Sequence, residues 1–248
     1  AFRCHLEIAS FDASLSYLSG YAPFPGIEFV DVEGLPTGEP TVSLRYSAYQ
    51  HQVIGFDFST TIGDYCGLRG EAAYRLPDEY EGSEYIPLPD LQYVVGFDRE
   101  FGGQVSCIAQ YISRHVFEWQ KVESSQFFEE TTTRAAGARD TSDDILELLL
   151  NEVTLKNRMI SGQLEQISHS ASLRVEWKFI QETLSLEAFG IMNFSTEEWM
   201  FRPRLTYDIT DELTITVGGE IYRGPGDTLF GVIDELMSAG FMELKASF

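Results

Sequence analysis

No apolar run in the 248 residues approaches the roughly 20 needed to cross a bilayer as a helix. The densest, Ile145–Leu150, is short and carries Glu147. A transmembrane helix is thereby excluded, but a membrane is not. A spanning strand needs only about ten residues of alternating pattern. Basic residues are scarce too: 17 Lys and Arg stand against 39 Asp and Glu, a net charge of −22. That balance argues against binding nucleic acid, or an anionic surface, through bulk electrostatics. Cysteine is nearly missing. Cys4, Cys66 and Cys107 are far apart and outside any CxxC or Cys/His cluster, so no metal centre is expected; they read as small apolar residues on strand faces. Phosphate-cradling glycine motifs are lacking, since Arg223–Asp227 is a turn signal, and no cofactor is expected. Proline is limited to 9 residues against 21 glycines and 13% aromatics, a balance that favours strands and turns.

What is present is alternation with a period of two, the primary strand signal. Over Leu44–Phe58, read as one strand, Leu44, Tyr46, Ala48, Ile54, Phe56 and Phe58, broken by Gln50 and Gln52, oppose Arg45, Ser47, Tyr49, His51 and Asp57. Leu68, Ala72 and Tyr74 oppose Arg69 and Glu71; Leu91, Tyr93, Val95 and Phe97 oppose Gln92 and Asp98. Further on, Leu173, Val175 and Trp177 oppose Arg174, Glu176 and Lys178, and Leu205 and Tyr207 oppose Arg204 and Thr206. Aromatics (Tyr74, Trp177, Phe179 and Tyr207 among them) fall near strand ends, where the interfacial girdles of a membrane barrel lie.

The connections sort by length. Short turns at 9–12, 60–64, 101–103, 180–182 and 208–212 alternate with longer links at 22–40, 76–89, 118–166 and 223–239; 195–198 is a short exception. Short turns on one rim and long loops on the other are the pattern of an outer-membrane barrel. The expected fold is therefore all-β: a transmembrane antiparallel up-and-down barrel of about 11–12 strands. It forms a single domain over 1–248, with 118–166 as a long extracellular or pore-folded insertion. Within that insertion, Thr141–Leu150 reads as a helix start from its Ser/Thr cap and early acids. Leu148–Ile160 leaves room for a further strand.

On this fold the charged strand face lines a lumen. Its expected residues are Arg45, Asp57, Arg69, Glu71, Asp98, Arg114, Arg174, Glu176, Lys178, Glu187, Arg202, Arg204 and Glu220. Mixed charge on one wall favours pairing, so Glu71, Glu176, Glu187 and Glu220 are expected beside arginines. Most of the remaining acids lie in the loops, and Asp78, Glu79, Glu81 and Glu84 supply clustered oxygens that suit a divalent cation bridging to lipopolysaccharide. Catalysis is not expected. His169 alternates away from Ser170 and Ser172, so no Ser–His pair forms within that strand. The Glu176/Glu187 pair, flanked by Arg174 and Lys178, reads as a salt-bridge lattice rather than a glycosidase dyad.

Several stretches resemble a known family: Phe11–Tyr21, Val53–Phe58 with Leu68–Tyr74, Leu91–Asp98, and Gly226–Gly231 together with Leu244–Phe248. In that order they resemble a proteobacterial family of porin-like outer-membrane β-barrels of unknown function, whose members are longer at the N-terminus. The resemblance implies an integral barrel of a Gram-negative outer membrane, and a channel or porin for small solutes is the leading expectation for function. A different class, a structural or assembly barrel acting as a partner for other envelope proteins, remains open. The ending, with Leu244, Ala246 and Phe248 on one face, resembles the signal read by the barrel-assembly machinery. The lipid bilayer and lipopolysaccharide complete the expected partners. Because Ala1–Ile8 already alternates, and the first strand runs inward by parity, the chain is expected to be the C-terminal part of a larger barrel.

Overall fold

A computed structural model describes residues 1–33, 41–63, 66–122, 142–181 and 183–247. Its strands are β1 (Phe2–Ile8), β2 (Phe11–Tyr21), β3 (Gly26–Glu33), β4 (Thr41–Ser47), β5 (Gln50–Ile62), β6 (Cys66–Pro77) and β7 (Asp90–Phe101). They continue as β8 (Val105–Val116), β9 (Ile167–Phe179), β10 (Leu184–Asn193), β11 (Glu198–Thr210), β12 (Leu213–Arg223) and β13 (Ala239–Ala246). Helix α1 (Ser142–Ser161) lies between β8 and β9, and α2 (Leu229–Met237) between β12 and β13.

Eleven strands form one sheet in the order β1-β2-β5-β6-β7-β8-β9-β10-β11-β12-β13, while β3 and β4 pair as a separate hairpin. Every pairing is antiparallel. The sheet is thus a meander in which strand neighbours follow chain order, apart from the hairpin excursion. β1 and β13 stand at its two ends, with no pairing between them among the described residues.

Turn chemistry explains the tight rim. Ile8 pairs with Phe11 across a two-residue turn, and Ala9 takes φ 53°. Gly102 and Gly103, at φ 59° and 71°, supply the left-handed backbone between β7 and β8. Between β9 and β10 the same conformation falls on Ile180 and Gln181, at φ 52° and 56°, an unfavourable place for a β-branched side chain. At the opposite rim the connections are long and structured: the β3–β4 hairpin, the 78–89 segment, α1 and α2.

Burial divides the two faces. The apolar face stays open to its surroundings along the sheet: Leu173 is 49% exposed, Trp177 48% and Met242 73%. Among the described residues the buried hydrophobic side chains are Ala13, Ile86, Val116, Val153 and Met159, and all but Ala13 lie at the long-loop rim. The described residues therefore hold no ordinary interior core.

Two expectations need correction, and one alternative left open is closed. Leu44–Phe58 is not one strand: β4 ends at Ser47 on its partner β3, and β5 starts at Gln50 between β2 and β6. Gln50 and Gln52, which break the apolar face at the start of β5, mark this change of partner. Leu148–Ile160 is helix, not strand. The long 223–239 link, expected to be a loop with the only helix lying in 118–166, holds a second helix, α2, which Thr228 caps by accepting a hydrogen bond from the Gly231 N–H.

Candidate functional site

Register carries one charged row after another across the polar face. Asp57 faces Glu71, Gln92 faces Arg114, and Asp98 leads through Ile108 to Arg174, Phe189 and Arg202. Glu176 faces Glu187, which faces Arg204, while Arg69, Lys178 and Glu220 share the same side by alternation. Twelve of the thirteen expected residues therefore line one wall. Arg45 does not. It sits on the β3–β4 hairpin, where its Nη2 lies 2.7 Å from Glu28 Oε2.

Ion pairs lace this wall. Arg69 Nε lies 3.1 Å from Asp98 Oδ1, and Arg174 Nη2 lies 2.6 Å from Glu187 and 3.7 Å from Glu176. Lys178 Nζ reaches Glu176 at 3.9 Å. The two facing glutamates are thus held apart by a shared guanidinium, the lattice their flanking residues predict. Arg202 Nε lies 3.2 Å from Glu220 Oε1, close enough to pair but outside hydrogen-bonding geometry, so its N–H has no acceptor. Arg204 Nε, also buried, has none either, because Glu187 opposite it is taken by Arg174.

Glu71 departs from expectation, with no ion pair among the described residues. Arg69 on its own strand is engaged by Asp98, and Asp57 opposite is satisfied by Arg3 at 3.3 Å and by the Ser14 hydroxyl. Sequence reasoning missed Arg3 and Ser14; only strand register brings them to Asp57.

A denser network closes the long-loop rim. Asp90, 1% exposed, accepts from Arg75 Nε at 2.7 Å and Nη2 at 2.5 Å, and from Gln163 Nε2 at 3.0 Å. Arg114 Nε stands 3.6 Å from the same carboxylate. Arg114 Nη1 donates to the carbonyls of Ser161, the last residue of α1, and of Gly162 just past it, and Nη2 to Gln92 at 3.0 Å. A cation on helix-terminal carbonyls is favourable, and here it fixes α1 to the polar wall.

Asn157 makes the second attachment. Its Oδ1 accepts from Ile27 N at 2.8 Å, and its Nδ2 donates to Ile27 O at 2.8 Å and Glu84 O at 2.9 Å. Gln163 holds Leu88 in the same two-way manner, at 2.9 and 2.8 Å. Helix α1, hairpin β3–β4 and segment 78–89 are therefore tied together across the polar-face end of the sheet. In the hairpin, bonds from Ser47 and then Arg45 hold the Glu28 carboxyl below its usual pKa. Burial alone lowers the pKa of Arg158 on α1.

The acidic loop does not converge. Glu84 accepts from Phe29 N at 3.1 Å and Asp78 from Gln52 at 3.5 Å. Among the described residues, no three His, Cys, Asp or Glu side chains gather as a cation site. On the apolar face His169 lies opposite Ser113, but its Nδ1 is 2.6 Å from the Tyr111 hydroxyl and 3.4 Å from Ser113 Oγ. Ser113 is 2% exposed, so no accessible nucleophile results. Leu244 and Ala246 share the apolar face opposite Ile215 and Leu213; Phe248 lies outside the described residues.

Compared with known proteins, the chain matches no family model and no curated sequence.

Proposed function

We propose that this chain is an outer-membrane channel wall of the porin-like kind, with the apolar face toward lipid and the charged face toward an aqueous path for small solutes. One observation carries the reading: the largest apolar side chains of the meander are exposed while the charged side chains pair with one another. A protein dissolved in water rarely leaves contiguous apolar surface beyond a few hundred Å² uncovered. Lipid accepts such a face, and a polar interior accepts the charges.

In lipid the backbone edges of β1 and β13 require partners. Both strands run toward the short-turn rim, so they cannot pair antiparallel with each other. The wall's cross-links suit a hydrated passage, since paired charges hold their positions without closing the space between them. The rim network favours a second reading, an occluded barrel that serves other envelope proteins, because α1 and the hairpin fold over the polar-face end.

Planar-bilayer recording separates the two. Stepwise, salt-dependent conductance from reconstituted protein is the expected result. Folded, inserted protein that never conducts would remove the channel reading and leave the occluded barrel.

A further inference from the structure

Beneath the rim network lies a cavity of about 300 Å³, bounded by the upper ends of β5, β6 and β7, the segment after β2, residues 85–88 and the last turn of α1. We propose that it binds a small monocarboxylate carrying an apolar ring. Its use in solute selection rests on the channel reading above; the binding itself does not.

The walls fit the ring. Phe24, Pro87, Leu88 and Ile160 present apolar surface, and the volume sits at the low end of ligand pockets, enough for a single-ring compound. The remaining lining fits the carboxylate. Arg75 spends Nε and Nη2 on Asp90, and among the described residues no partner engages its Nη1. Tyr49 and Tyr85 also line the cavity, and neither hydroxyl hydrogen-bonds to a described residue. Burial raises the pKa of Tyr49, which keeps that hydroxyl a donor. His51, 9% exposed, also lines the cavity, and its Nε2 is buried without a partner.

Charge points the same way. The lining carries Arg75 and Arg114 against Asp90 alone, one net positive charge in a chain of −22. Arg114 donates to Gln92 and to the carbonyls of Ser161 and Gly162 and stands 3.6 Å from Asp90, so Arg75 and the tyrosines are the less engaged groups to meet an anion. A buried donor without an acceptor is costly. A carboxylate oxygen satisfies several donors at once, and a neutral ring does not.

Calorimetry on the full chain folded in detergent, with empty micelles as the blank, tests this directly. Sodium benzoate is the probe, compared with sodium acetate, benzamide and sodium phosphate. Saturable binding of one benzoate per chain is expected, with acetate and benzamide at least about tenfold weaker, because each lacks either the ring or the charge. Tyr49→Phe combined with Tyr85→Phe removes only two hydroxyls and should weaken benzoate about tenfold, with circular dichroism unchanged. Benzoate that fails to saturate, acetate that binds equally well, phosphate that binds in its place, or a double variant that binds normally would each overturn the site. Binding in detergent without conductance in bilayers would keep this site and remove the channel; conductance without binding would do the reverse.

Discussion

Replacing Asn157 by Ala should release α1 from the hairpin without disturbing the sheet. Asn157 is 9% exposed and makes three bonds to other segments: from Ile27 N, to Ile27 O and to Glu84 O. Each bond contributes about 1 kcal/mol net, and water reaches a buried site poorly when a partner is cut away. The opening free energy of the rim should fall by about 3 kcal/mol, roughly a hundredfold in the open population. Hydrogen exchange followed by mass spectrometry reads this directly, on peptides covering 146–163 and 26–33. Peptides from β9 to β11 serve as the internal reference. Asn157→Asp keeps the acceptor for Ile27 N–H but turns a buried carboxylate oxygen onto the Ile27 and Glu84 carbonyls, so its effect should equal or exceed that of alanine. Unchanged exchange in α1 and the hairpin would refute the idea that these bonds hold the rim.

Other expectations test separate links. Leu173→Arg places a charge in the middle of the apolar face; in a bilayer it should cost about 2–4 kcal/mol, read by urea unfolding in liposomes, whereas a water-facing wall would tolerate it within about 0.5 kcal/mol. Ile180→Asn should stabilise by about 0.5–1 kcal/mol, since Asn accepts the left-handed backbone at φ 52° that Ile resists; a lower unfolding midpoint would count against it. The Glu28 carboxyl has its pKa depressed in the folded hairpin from the ordinary 4.5. Its contribution is therefore complete above that value and is lost as pH falls through the lower folded value. Exchange protection of 26–33 should decline over that acid window in wild type and stay flat in Glu28→Gln.

Much of the fold is legible because a meander obeys local rules. Each strand alternates, each tight turn is short, and neighbours in sequence become neighbours in the sheet, so Leu173, Val175 and Trp177 reveal their face without knowledge of the partner strand. Where the chain leaves that order, legibility ends. The β4–β5 boundary at 48–49 changes partners under an alternation interrupted only at Gln50 and Gln52, and Arg45 is misplaced as a result. Helix α2 is announced by Thr228 and the apolar run after it, but the glycines and proline of 224–226 mask it as part of a turn.

The site divides along the same physical line. Pairs such as Arg174 with Glu187 follow from alternation plus one turn of known length, so the ion-paired wall is readable once strands are assigned. The rim network is different in kind. Asp90 meets Gln163 across 73 positions, and Asn157 meets Ile27 across 130; neither distance is set by a turn or a repeat. These contacts depend on where α1 lies relative to segments outside the meander. The side chains that make them, one Asn, one Gln and one Asp, look in sequence like ordinary loop and helix-surface residues. Their burial distinguishes them, because a buried amide must find both donors and acceptors, and Asn157 and Gln163 each do so against a backbone N–H and C=O. The meander is thus specified by local pattern, while the closed rim is specified by two amides, each holding a partner backbone from both sides. A substitution at either amide should alter the rim and leave the strand register intact.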